Sequence, residues 1–204
     1  MTGCPDVWGE AASPEARHTD HIATMDNIKE DVLNTNRPDR TALAMVVGGA
    51  VAPAAYRYAV ERVVRLAFRR LSAGDYQTLL KACASDVEHT FAGEHALGGT
   101  RHTREGLERW FERLYRLFPG LDFEVRNVLV RGWPWRTVAM IEWIDRARPV
   151  DGVPYVNEGT HVLRFSWGRL VSLHAYPDTQ KVQDVCERLA REGIEEAAAP
   201  PILT

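Results

Sequence analysis

The chain has 204 residues, 45% hydrophobic and 26% charged, with a formal net charge of -3. That composition supports a packed globular core. It gives no electrostatic reason to expect nucleic acid or an anionic membrane surface as a partner. Three scattered cysteines, Cys4, Cys83 and Cys186, with no Cys-x-x-Cys pair, argue against a disulfide framework or a zinc ribbon and favour a reducing, cytoplasmic setting. No apolar run approaches the ~20 residues of a transmembrane helix, and no basic-then-apolar leader opens the chain, so neither a membrane span nor a signal peptide is expected.

Residues 1–52 stand apart. They hold eight acidic and four basic residues, a net charge of -4, and Trp8 is their only aromatic. Such a segment buries too little apolar area to offset its ordering entropy, so it reads as a flexible N-terminal extension. The folded domain is expected over 53–193. Tyr56, Val60, Val63, Ala67 and Leu71 recur at helical spacing and predict an amphipathic helix that Gly74 ends. Asp75 can cap a short second helix, Tyr76 to Cys83. Residues 86–91 alternate Val87, His89 and Phe91 against Glu88 and Thr90, a short strand. A Gly-containing loop, 92–100, follows. Thr103–Phe118 is the clearest helix, its stripe formed by Leu107, Trp110, Phe111 and Leu114, and Pro119-Gly120 stops it.

Four strand-like runs come next: Leu121–Arg131, Trp135–Arg146, Val153–Ser166 and Arg169–Tyr176. The short turns between them predict an antiparallel meander. Asp178 or Thr179 caps a last helix to about Arg191, and the tail from residue 194 to 204 is expected to be loose. Helices gathered ahead of a sheet make the fold class α+β.

Three stretches carry a family resemblance. "LSAGDYQTLLKACASDVEHTF" resembles the first segment of the nuclear-transport-factor-2-like superfamily. "GTRHTREGLERWFERLYRLFPGLDFEV" resembles the SnoaL-like helix and the strand after it, and "GTHVLRFSWGRLVSLHAYPD" the closing hairpin. The resemblance covers about 120 residues and leaves the first ~50 outside it. It implies a cone: a curved antiparallel sheet wrapped by three or four helices around a pocket for a small molecule. It also implies a homodimer. Known relatives include ketosteroid isomerase, polyketide cyclases and limonene epoxide hydrolase, so fold alone does not give function.

Side chains alternate faces along a strand, which sorts the candidates. Tyr155, Asn157 and His161 share one face, and comparison with ketosteroid isomerase puts His161 at its oxyanion-hole position. That enzyme is a standing example of a protonated carboxyl acting as donor. The same comparison puts Phe91 at the catalytic base and Ala67 at the oxyanion-hole Tyr, so steroid isomerisation by that route is not expected. Trp143 and Asp145 share a face taken as concave; a bulge would bring Glu142 in instead. His161 is therefore the candidate acid, base or hydrogen-bond donor, with Asp145 or His89 as proton partner. Asn157 and Tyr155 would orient the substrate, Trp143 and Phe91 wall the pocket, and His95 with Glu94 border its mouth. A buried, idle histidine and surface ion pairs for the acids remain the plain alternatives.

No nucleophile elbow, phosphate loop, zinc-protease motif or dinucleotide loop occurs, and no histidine–acid spacing marks a metal site, so neither cofactor nor metal is expected. The leading expectation is a cofactor-independent cyclase, isomerase or dehydratase acting on a small, largely apolar, carbonyl-bearing metabolite of polyketide or other secondary metabolism. The alternatives are a non-catalytic binding or dimeric assembly module, and an epoxide hydrolase, which needs an Asp–Arg–Asp set.

Overall fold

The computed structural model describes residues 53–204, and the extension expected over 1–52 lies outside them. The elements in chain order are α1 (Pro53–Ser72), α2 (Tyr76–Ala82), β1 (Cys83–Phe91), β2 (Gly99–Arg101), α3 (Arg104–Leu117), β3 (Asp122–Trp133), β4 (Arg136–Ala147), β5 (Tyr155–Ser166), β6 (Arg169–Pro177) and α4 (Thr179–Arg191). A 3-10 turn, Glu195–Ala197, ends the series.

Three helices start on caps that are visible in the sequence. The Asp75, Thr103 and Asp178 side chains accept from the backbone amides of Thr78, Gly106 and Gln180, which would otherwise go unpaired at the first turn. α3 buries Leu107, Trp110, Phe111, Leu114 and Leu117 along one stripe.

One six-stranded sheet runs in the order β2-β1-β6-β5-β4-β3. The meander β3 to β6 is antiparallel throughout. β1, however, pairs in parallel with β6. The sheet is therefore mixed, which corrects the all-antiparallel expectation. Short turns dictate antiparallel pairing only between strands next to each other in the chain; β1 and β6 are separated by the whole meander. β2, expected as loop, adds an antiparallel edge strand against β1.

The register sorts the sheet into two faces. Phe123 faces Asp145, Trp143 faces Gly159, Ile141 faces His161, Asp145 faces Asn157 and His161 faces Ala175 on one of them. His89 and Phe91 continue that inner face through Leu173 and Ala175. α1 and α3 close over it, with Phe68 of α1 edge-on to Phe123.

The tail corrects another expectation. Ala197 is buried, Ile202 packs on the core, and Glu196 takes a two-pronged ion pair from Arg116 of α3. Arg113 donates to the Pro200 carbonyl at 2.9 Å, and the His102 amide to the Thr204 hydroxyl at 3.0 Å. Small and apolar residues let the tail lie flat against α3 and α4, and arginine side chains pin its backbone.

Candidate functional site

The sheet and the helices enclose a narrow cavity of about 50 Å³. Its walls are mostly aromatic and aliphatic: Phe68, Phe91, Trp110 and Trp143 among them. Into this apolar space come Asp145, His161, His89 and the Tyr155 and Tyr115 rings. The Tyr115 hydroxyl is spent on the Leu71 carbonyl at 2.5 Å.

Asp145 is 7% exposed, and its Oδ1 has no hydrogen-bond partner among the described residues. Burial pushes its carboxyl up from 3.8 to about 7; the backbone amides of Asn157 and of Asp145 itself only partly offset this. The group therefore exchanges its proton near neutrality. β4 carries no bulge, so Asp145 takes the inner face and Glu142 the outer, where Asn127 donates to it.

His161 accepts a hydrogen bond at Nδ1 from the Trp143 indole Nε1, at 2.5 Å. Phe68 stands edge-on to the imidazole, centroids 5.3 Å apart. The residue is partly buried and lines the cavity. Burial, with a smaller contribution from His174, drives its basicity down to about 3. It is neutral at physiological pH and too weak to serve as a general base.

His89 is fully buried, and neither ring nitrogen has a partner among the described residues. The Trp110 ring lies 4.4 Å away. Burial, then the Arg101 cation, holds His89 well below the ordinary histidine range. Arg101 is a feature that sequence reading missed. It is 0% exposed, its guanidinium donates to the Leu97, Gly98 and Gly99 carbonyls, and it lies 5.5 Å from the Trp110 ring. Nothing local distinguishes it from a solvated loop arginine; its burial comes from β2 pairing with β1.

Two expected substrate contacts do not reach the cavity. Asn157 is wholly buried and spent: Nδ2 donates to the Tyr155 hydroxyl at 2.7 Å and to the Asp178 carbonyl at 3.1 Å, while Oδ1 accepts the Glu158 amide. It holds Tyr155 in place instead of meeting a ligand. His95 is buried against Phe91, ring centroids 5.7 Å apart, and lines an outer groove shared with α4 and the tail, as does Glu94. Gly93, at φ 110°, turns the loop tightly enough to tuck that ring in. Trp143 and Phe91 do line the cavity.

One carboxylate lines this space and Arg101 does not, so the Asp–Arg–Asp set of an epoxide hydrolase is not assembled among the described residues. Nor do they bring three His, Cys, Asp or Glu side chains together in a metal-sized cluster. No described helix is long and apolar enough to cross a membrane.

The sequence of this domain matches a known family. The family model for the SnoaL-like domain covers residues 60–173. The chain belongs to the SnoaL-like family. Among solved structures, it is similar to an NTF2-like protein of unknown function from Burkholderia pseudomallei, at 23% identity and a TM-score of 0.55 over 61% of this chain and 95% of that one. PrhC from Penicillium brasilianum matches at 16% identity and a TM-score of 0.57, covering 68% of this chain and 94% of its own. TerC, co-crystallised with polyporic acid, matches at 17% identity and 0.52, over 62% and 96%. At these identities the likeness is one of fold. No curated protein matches the chain.

Proposed function

We propose that this SnoaL-like protein is a cofactor-independent acid–base enzyme acting on a small, largely apolar, carbonyl-bearing metabolite of secondary metabolism. The observation that carries the reading is Asp145, a carboxyl oxygen without a partner in an apolar cavity, where burial pushes the group up to about 7. An unpaired buried carboxyl costs stability, and proton transfer is a use for it.

In the reaction, the Asp145 carboxylate takes a proton from the carbon next to the carbonyl. The C–H electron pair becomes the new C=C bond, and the carbonyl π pair moves to oxygen. Neutral His161 hydrogen-bonds that oxygen as its charge grows, the role that preorganised donors play for enolates. Protonated Asp145 then returns the proton to a different carbon, giving an isomer, or to a departing hydroxyl, giving loss of water. Of the acid, base and hydrogen-bond-donor roles open to His161, its low basicity favours the donor role. His89, neutral with both nitrogens free, holds a further polar atom of the ligand. Phe91 and Trp143 flank the substrate.

A ligand as large as those of ordinary ~300–1,000 Å³ sites needs the cavity to widen. Its narrowness supports a second reading, a binding module for a small molecule without turnover. Solvent-deuterium exchange separates the two. Small cyclic ketones and enones are incubated with the protein in deuterated buffer and read by mass. Incorporation next to the carbonyl that Asp145→Asn abolishes is the expected result. Binding without incorporation across the panel favours the binding module.

Two further proposals concern the chain's setting. A homodimer is supported by the apolar outer sheet face, where Leu129, Met140, Val156 and Tyr176 are exposed; sedimentation velocity at micromolar concentration checks it. A cytoplasmic location is supported by the unpaired cysteines Cys83 and Cys186.

A further inference from the structure

An indole Nε1 carries a hydrogen and no available lone pair, so Trp143 can only donate. Its partner, His161 Nδ1, must therefore be the acceptor. A neutral imidazole holds one hydrogen, and with Nδ1 accepting, that hydrogen sits on Nε2. This is the only hydrogen bond made by the His161 side chain among the described residues. What fixes the ring's tautomer is one tryptophan.

The tryptophan is itself held. Trp143 is 2% exposed, and Phe123 meets it edge-on with centroids 5.5 Å apart. Its six-membered ring lies across Gly159 of β5, the residue opposite it in the sheet, where an added Cβ would come within 2.7 Å of Trp143 Cζ2. The missing side chain at 159 lets the indole lie flat over β5 and reach His161, two residues along the same face. Phe68 closes the other side of the imidazole.

We propose that Trp143 is a positioning residue that locks His161 in its Nε2–H form, so that the cavity offers a donor there and selects a ligand oxygen that accepts, a carbonyl or enolate, over an ammonium group. The ligand class rests on the acid–base reading above; the tautomer does not. Without the indole bond both tautomers are open to the ring. In the Nδ1–H form, Nε2 would present a lone pair to the developing oxyanion and repel it.

The test is two-bond ¹H–¹⁵N NMR on protein labelled at histidine. The His161 signals are those lost in His161→Gln. In the unaltered protein at pH 7 the expected pattern is one tautomer with Nε2 protonated, unchanged down to pH 5. In Trp143→Phe the expected pattern is a loss of that single state, with signals shifted toward a tautomer average. A protonated Nδ1 or an imidazolium at pH 7 in the unaltered protein overturns the proposal, and needs no variant to fold. So does a Trp143→Phe spectrum identical to the parent's. If the Nε2–H tautomer stands while no ketone exchanges deuterium, the acid–base reading fails and the lock survives.

Discussion

Replacing Asp145 with Asn keeps the side chain's size and removes its charge. In the folded chain the carboxyl titrates near 7, against 3.8 for an ordinary aspartate. A group whose folded value is raised binds its proton more tightly when folded. Its stabilising contribution is complete below pH 3.8 and is lost as pH climbs through 7. At about 1.4 kcal/mol per pH unit of separation, the loss comes to about 4 kcal/mol. That is a large share of the roughly 5–15 kcal/mol that holds a domain folded. The histidines change stability with pH as well, but they are common to both proteins and cancel in the comparison. Urea unfolding of the two proteins at several pH values is the assay. At pH 3.5 the two should differ little. Between pH 4 and 7 a gap should open in favour of Asp145→Asn, and above pH 7 it should level off. A gap that stays constant from pH 3.5 to 8 would refute the reasoning, because it would mean that the carboxyl ionises as freely folded as unfolded.

Other outcomes follow from the same structure. His161 shifts the opposite way, from 6.5 to about 3, so it withdraws stability as pH falls below 6.5; His161→Gln should shallow the acid limb of the stability curve measured by urea melts. Gly159→Ala forces a methyl against Trp143 Cζ2 and the Tyr176 carbonyl, at 2.7 and 2.5 Å; a loss of about 1–3 kcal/mol is expected, with the His161 NMR signals disturbed alongside. Thr103 caps α3, and Thr103→Ala should cost about 1 kcal/mol in the same melts. Glu196→Gln cuts the tail's ion pair with a half-exposed Arg116; less than about 1 kcal/mol is expected, with faster amide exchange confined to the tail and the start of α3.

What could be read in the sequence follows periodicity. The stripe of α3 and the cap at Asp75 are local signals found where they were expected, Asp178 is the one of two expected residues that caps α4, and Thr103, read as the first residue of the helix, is its cap instead. The alternation Ile141, Trp143, Asp145 sorts β4 into faces because no bulge interrupts it. Long-range pairing is a different matter. Nothing near 83–91 announces a parallel partner nearly ninety residues away, and the three residues of β2 are too few to show alternation. Alternation gives a face and not a reach: Asn157 is on the inner face, yet its amide is consumed by Tyr155 and Asp178 before it meets the cavity. The tail's run of small residues and its Pro200-Pro201 pair read as loose, while its order comes from arginines placed on another helix.

The central claim is that one cavity carboxyl carries the proton at neutral pH. Its most direct test is the titration of the Asp145 side-chain carboxyl itself, followed by ¹³C NMR and assigned by its absence in Asp145→Asn. The account expects a midpoint near 7. A midpoint near 4, the value of a solvated aspartate, would contradict it and leave the cavity without a proton carrier.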